Sequence, residues 1–475
     1  VSAVAGLAAR VSALPLPAGL RRRLAHVSAD SGVYLGHAGT AFLIRTFGAA
    51  IGFALQVLLA RLLSLTDYGL YVTFWTWLFL AGQIAALGFN DSCLRFLPRY
   101  LARGRLEEAR AFLRTGFAMV VAGSLAIAAA GLTGLWAMSF LLPAGDPRWL
   151  LLILFFAGIP FMAVELYLDG IARSFGLFVL SAAPAFIVRP VLLALAVIAV
   201  ALLGLHLSAV TALALAIAVT GVVTIGQAVM IRRRITRQIG PDLSISERPR
   251  KQRRLWLAAT LPLTLVYGIE EIYLVSDILL LGLFAEPAEV GIYFAAVRLM
   301  TLAGYVYYAF MLISSREFSL ARAGRDHADL QGRVSRATSW TFWLTVPTVA
   351  GIVALGYPLL SMFGPDYVAG YGVLAVLGLG LIARASVGQA GDLLVVLGHQ
   401  KANLWVALAS LVLNALVTLA LLPWLGILAA AIGTAVSQAA RAAALAYYAR
   451  RLASLDTFVF AGGLLGRHAG PAHSA

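Results

Sequence analysis

An all-α polytopic membrane protein, with about twelve transmembrane helices in two six-helix bundles related by pseudo-two-fold symmetry, is the fold class that the sequence predicts. Composition is the first reason: 61% of the 475 residues are hydrophobic and 12% charged, with a mean hydropathy of +0.90. A soluble domain carries roughly 45–50% apolar and 25% charged residues. The second is that apolar runs reach the roughly 20 residues a spanning helix needs and recur from end to end. The third is an internal repeat at an offset of about 220 residues.

Residues 1–37 read as a cytoplasmic arm, with Arg10 and Arg21-Arg22-Arg23 and with apolar runs broken by Pro15 and Pro17. Apolar runs between charged or Pro/Gly-rich breaks place spans near 38–60, 70–92, 115–137, 149–170, 178–203 and 207–231. A basic linker at 232–255 follows, then spans near 256–284, 291–314, 338–360, 369–397, 402–422 and 426–449, and a tail at 450–475. The N-terminal bundle is thus 38–231 and the C-terminal bundle 256–449. With the N-terminus inside, only Arg61 and Arg148 fall in outer loops, and the inner segments collect nearly all other basic residues. The positive-inside rule then puts both termini in the cytoplasm. This placement accounts for the formal charge of +15 and leaves no patch of the kind nucleic acid requires.

Three anchors carry the repeat. Asp67-Tyr68-Gly69-Leu70-Tyr71 is matched by Glu289-Val290-Gly291-Ile292-Tyr293, Arg103-Gly104-Arg105 by Ala323-Gly324-Arg325, and Leu203-Gly204-Leu205 by Leu425-Gly426-Ile427. Six spans is an even number, so both halves enter from the same side and the axis relating them runs along the membrane normal.

Catalytic chemistry is not expected. Lys251 and Lys401 are the only lysines and neither has the glycine a phosphate-binding loop places before it. Cys93 is the single cysteine, and the seven histidines show no metal-ligand spacing, so neither metal nor cofactor is expected. Outer connections of about a dozen residues leave little room for an outer-face active site.

Function is instead sought in charges within the spans. An arginine near the bilayer centre costs roughly 2.5–3.5 kcal/mol on insertion scales, so it normally faces a bundle interior or a cavity. Arg189 and Arg384 fall near mid-span and Arg45 and Arg298 about two turns in, whereas Arg441 lies close enough to the inner surface to snorkel. Two readings stand for these arginines: a cationic cavity whose guanidinium forks receive phosphate oxygens, or pairing with acids between helices. Arg298, Thr301, Tyr305 and Tyr308 share one helix face, a polar aromatic stripe suited to sugars, as do Arg45, Gly48, Gly52 and Gln56, where the glycines allow close approach or a wide cavity.

Glu270, Tyr273 and Asp277 share a face of the seventh span. With Glu271 and Asp392 these acids are candidates for a coupling proton or sodium ion, or else neutralise arginines. Asp91 is expected to pair with Arg95, and Glu165 to sit near the inner surface without a direct role. Pro160, Pro184, Pro190, Pro262 and Pro347 mark expected bends.

Two stretches carry a family resemblance. Leu59-Ala60-Arg61-Leu62-Leu63-Ser64-Leu65-Thr66-Asp67-Tyr68-Gly69-Leu70-Tyr71, with Gly88-Phe89 and Leu94-Arg95 after it, is one. Leu397-Gly398-His399-Gln400, Leu413-Asn414 and Leu422-Pro423-Trp424-Leu425-Gly426-Ile427 through Ile432 make the other. Over about residues 38–450 the chain resembles the polysaccharide transporters of the multidrug/oligosaccharidyl-lipid/polysaccharide (MOP) superfamily, the O-antigen flippase-like members. The resemblance implies two bundles around a V-shaped cavity, cavity arginines such as Arg45 and Arg298, and a polyprenyl-diphosphate-linked oligosaccharide as cargo for lipopolysaccharide or exopolysaccharide synthesis. Membrane lipids and a polysaccharide polymerase or export machinery are the implied partners. A cation-coupled multidrug exporter of the same superfamily and a non-transporting assembly factor are the alternatives.

Overall fold

The computed structural model describes residues 44–138, 148–240, 250–324 and 327–460. The N-terminal arm and the end of the tail lie outside the described residues. The first half comprises α1 (Ile44–Leu62), α2 (Leu65–Ala85), α3 (Phe89–Ala102), α4 (Leu106–Met138), α5 (Arg148–Ser174), α6 (Phe178–Leu202) and α7 (Ala209–Ile239). The second comprises α8 (Arg250–Phe284), α9 (Pro287–Gly324), α10 (His327–Ala354), the short α11 (Gly356–Ser361), α12 (Tyr371–Ala385), α13 (Ala390–Val396), α14 (Gln400–Leu425) and α15 (Ile427–Ala453). Among the described residues, 9 helices are long and apolar enough to cross a membrane, or 10 when α2 and α3, bent by 41°, count as one. Helices α8 and α9 run for 35 and 38 residues; at about 1.5 Å per residue each exceeds the roughly 30 Å hydrocarbon thickness. The architecture is all-helical, as the composition and the apolar runs require.

Local chemistry sets the helix ends. The Ser64 hydroxyl accepts from the Asp67 amide at 3.1 Å and caps α2. Ser208 and Thr211 form a capping box at the start of α7. Asp67 also accepts from the Ala209 amide at 2.9 Å, so the first turns of α2 and α7 are tied together at one end of the bundle.

The breaks fall at glycines more than at the prolines. α5 and α10 run through Pro160 and Pro347 without interruption. α2 and α3 part at Leu87 (φ 50) and Gly88 (φ 66), and α12 and α13 part before Gly388 (φ 54), left-handed geometry that glycine adopts at no steric cost. Pro184 and Pro190 do leave a mark. Pro190 has no N–H for the Phe186 carbonyl, and residues 184–188 widen into a π turn in which the Arg189 amide reaches back to Pro184.

Helices α2, α4, α5 and α7 pack together in the first half, and α9, α10, α12, α14 and α15 in the second. The halves meet chiefly where α2 lies on α9. The stretch read as a linker is helical at both ends: Arg232, Arg233, Arg234 and Arg237 extend α7, and Arg250 to Arg254 open α8. Arginine is a good helix former, so each helix continues past its apolar part.

Candidate functional site

Between the halves lies a cavity of about 600 Å³ whose walls come from α1, α2, α3, α5, α6, α7, α8 and α9. Arg298 projects into it from α9, its guanidinium 4.3 Å from the ring centroid of Phe294 one turn earlier. Its Nε is buried without a hydrogen-bond partner, and no acid lies within ion-pair range of it among the described residues. A cation over an aromatic face keeps a favourable electrostatic contact while its remaining donors stay available.

Arg45 lines the cavity from α1 and stands 5.4 Å from the ring of Phe186. The two glycines that follow it divide the roles foreseen for them. A methyl at Gly48 would come within 2.7 Å of the Phe186 carbonyl oxygen, the group that Pro190 leaves without its helical donor, so Gly48 lets α1 and α6 touch. Gly52 has nothing within 4 Å of such a methyl and opens the cavity.

Arg189 lines the cavity just after the π turn. Its Nη1 donates to Glu165 Oε2 at 2.7 Å, and its guanidinium stands 5.3 Å from the ring of Trp75. Glu165 is 4% exposed, so it is paired and does not snorkel, and it lines the cavity. Glu165, Asp169 and Arg173 recur at helical spacing on α5 and form a charged stripe on an otherwise apolar helix. Asp169 pairs with Arg173 at 2.9 Å and accepts from Ser181. Asp91, expected to pair with Arg95, instead lies 4.0 Å from Arg173 and lines the cavity beside it. Glu271 lines it from α8, and its carboxylate has no hydrogen bond or ion pair among the described residues.

The lining therefore balances Arg45, Arg173, Arg189 and Arg298 against Asp91, Glu165, Asp169 and Glu271. It is a mixed-charge chamber and not the purely cationic one that the arginines alone suggested. Tyr305 lines it as well, whereas the side chain of Tyr308 lies outside the described residues.

The other expected site residues gather within the second half, away from this lining. Arg441 is not at the surface: it binds both oxygens of Glu270, at 2.8 and 2.9 Å. One turn along each helix, the Tyr273 hydroxyl lies 3.3 Å from that of Ser437. Asp277 accepts from the Tyr293 hydroxyl at 2.6 Å and from the Ile278 amide at 2.8 Å. Glu270, Tyr273 and Asp277 do share one face of α8, and that face is closed largely by α15. Arg384 lies over Tyr307, 4.3 Å from its ring, whose hydroxyl donates to the Gly388 carbonyl at the α12–α13 break. Asp392, on α13 just past that break, is neighboured by the charges of Arg384, Glu270 and Arg441.

Sequence reasoning missed Asp169, Arg173 and Trp75 and discounted Asp91 and Glu165. The one available signal was the Glu165, Asp169, Arg173 stripe on a span-length helix.

These helices, the two halves and the cavity between them define a multi-pass membrane protein with the MOP exporter fold. The chain belongs to the polysaccharide biosynthesis protein family, whose model matches residues 37–315. Among solved structures it is similar to a multidrug resistance MATE family transporter of the MOP superfamily in an inward-facing conformation: 13% identity, TM-score 0.70, 87% of this chain and 98% of the other covered. It is likewise similar to the lipid II flippase MurJ in an inward closed conformation: 16% identity, TM-score 0.67, with 86% and 87% covered. A third is a MOP superfamily transporter from Pyrococcus furiosus, described by a binding pocket of reverse polarity: 14% identity, TM-score 0.60, with 87% and 95% covered. No curated protein sequence matches the chain.

Proposed function

We propose that this protein is a flippase that carries a polyprenyl-diphosphate-linked oligosaccharide across the bacterial inner membrane, for cell-surface polysaccharide synthesis, by alternating access of its two halves. One observation carries the reading: Arg298, half-buried in a cavity between the halves, holds its charge over Phe294 with its Nε buried and unpartnered and no acid in range among the described residues. A cavity-lining guanidinium without an internal counter-ion is suited to an anionic guest, and its planar fork matches phosphate oxygens. The diphosphate binds there, the sugars fill the chamber beside Trp75 and Tyr305, and the lipid tail stays in the bilayer. Family membership in polysaccharide biosynthesis supports the cargo class.

In this reading the arginine-rich ends face the cytoplasm, and the partners are the lipid-linked glycan, membrane lipids and a polysaccharide polymerase or export machinery. An inside-negative potential favours outward movement of an anionic head group by roughly 2.3 kcal/mol per charge per 100 mV. A proton or sodium ion at Glu270, Glu271, Asp277 or Asp392 is the alternative drive, although Glu270 is engaged by Arg441 and Asp277 by Tyr293.

The test is flipping of a fluorescent polyprenyl-diphosphate disaccharide in proteoliposomes. Unmodified protein flips it, and Arg298→Gln, with folding intact, slows it at least tenfold, the loss expected when a charge-assisted hydrogen bond worth about 1.5–3 kcal/mol is removed. Asp91 and Glu271 in the chamber favour one second reading, export of cationic drugs. Efflux of a cationic dye on a proton or sodium gradient, with no flipping of the lipid-linked probe, would establish that reading instead.

A further inference from the structure

Adjacent residues of α8 receive opposite treatment from the fold. Glu270 is gripped through both oxygens by Arg441, whereas Glu271, facing the cavity, is given no cation and no hydrogen-bond donor among the described residues. The nearest basic group to Asp91, also in the lining, is Arg173, 4.0 Å away and already paired at 2.9 Å with Asp169. Glu165, which is 4% exposed, uses Oε2 for Arg189 and leaves Oε1 buried with no partner. Asp91 and Glu271 both line the void.

A carboxylate removed from water must be paired or hydrogen-bonded. The lining from α3, α5, α6 and α8 supplies four acids and, among the arginines, Arg173 and Arg189, while Arg45 and Arg298 come from α1 and α9. A head group bearing negative charge alone would be attracted to the arginines and repelled by the acids. Neutral sugar hydroxyls can bond to carboxylates, but they bring no counter-charge. An ammonium brings a positive charge and three donors to a region where four carboxylates stand against two guanidinium groups.

Resting on the proposed flippase reading, we infer that Asp91 and Glu271 bind a positively charged nitrogen on the glycan, an ammonium or amidinium. The cargo head group is then dipolar, with phosphate toward Arg298 and the cationic nitrogen toward Glu271. Cargo selection is read at the acids, and general affinity for lipid diphosphates at the arginines.

Equilibrium binding to the full-length protein in nanodiscs tests this with two synthetic farnesyl-diphosphate disaccharides. They are identical except that one sugar carries a free 2-amino group in the first and an N-acetamido group in the second. At about pH 6, where such an amine is protonated, the amino probe binds at least tenfold more tightly, the scale of one hydrogen bond to a charged group. Glu271→Gln and Asp91→Asn each bring that ratio close to one, Glu271→Asp retains it, and Arg298→Gln weakens both probes alike and leaves the ratio unchanged. Gel-filtration profiles of the variants check folding, and either acid variant suffices if the other fails. Equal affinities in the unmodified protein, or a preference that survives both acid substitutions, overturn the amine subsite and leave the flippase reading standing. If neither probe binds while tetraphenylphosphonium, a cation without phosphate, does, both readings fall.

Discussion

Gly69 and Gly291 meet where the two halves touch. A methyl on Gly69 would fall 1.6 Å from the Pro287 carbonyl oxygen, and one on Gly291 would fall 3.2 Å from the Leu65 carbonyl oxygen. Each glycine thus faces the first turn of the other half's helix, the reciprocal contact expected of repeat-related segments about a shared axis. The two are not equally tight. Gly69→Ala requires backbone to move and is expected to destabilise the protein by about 3 kcal/mol or more, and Gly291→Ala by about 1 kcal/mol. Thermal unfolding of the two variants in the same detergent checks the order, and equal shifts would contradict it.

Arg189 and Glu165 form a pair with side chains 18% and 6% exposed. Removing the cation alone leaves a buried carboxylate uncompensated, so Arg189→Met is expected to cost about 3–5 kcal/mol, and adding Glu165→Gln to recover much of it. A double-mutant cycle on unfolding measures this coupling. Lack of recovery in the double variant would mean that Arg189 stabilises the fold mainly through Trp75.

What the sequence made legible was whatever depends on chain periodicity. Arg298 and Tyr305 were found because helical spacing alone places them on one face of α9, and the Gly69 and Gly291 contact was marked by the repeat. Partner choice was not legible, because it depends on which helices become neighbours. Asp91 lies four residues before Arg95 and looked paired within its own helix, yet the break at Gly88 turns it toward Arg173 on α5. Arg441 lies near the end of its span and looked able to reach the surface, yet α8 offers it Glu270 at closer range. Arg384, near mid-span, looked like cavity lining, but the α12–α13 break brings its neighbourhood against Tyr307.

The open space beside Gly52 makes it a site for blocking the chamber without disturbing the packing. Gly52→Leu adds a side chain where nothing lies within 4 Å. Replacing glycine within a helix also contributes up to about 1 kcal/mol of helix propensity. Stability is expected to be unchanged or higher, while flipping of the fluorescent lipid-linked disaccharide falls at least tenfold. Gly48→Leu, which meets Phe186 instead, should lower stability and flipping together. Full flipping by Gly52→Leu would show that cargo does not pass this wall of the cavity.

Arg61 binds the two halves together at the end opposite the arginine-rich one. From the end of α1 its Nε donates to the Met362 carbonyl and its Nη2 to the Ser361 carbonyl, both at 2.7 Å. Ser361 closes the short α11, so the guanidinium meets unsatisfied carbonyls at a helix C-terminus, where a cation is favoured. If the halves separate at this end during the cycle, both bonds break. Because the site is exposed, their net contribution is about 1 kcal/mol, equivalent to roughly a fivefold bias toward closure. The only native cysteine, Cys93, is fully buried, so a cysteine at Gly52 can report access to the chamber. An impermeant thiol reagent applied from the Arg61 side is expected to label Gly52→Cys about fivefold faster when Arg61→Gln is added. Unchanged labelling would mean that Arg61 caps α11 and does not hold that end shut.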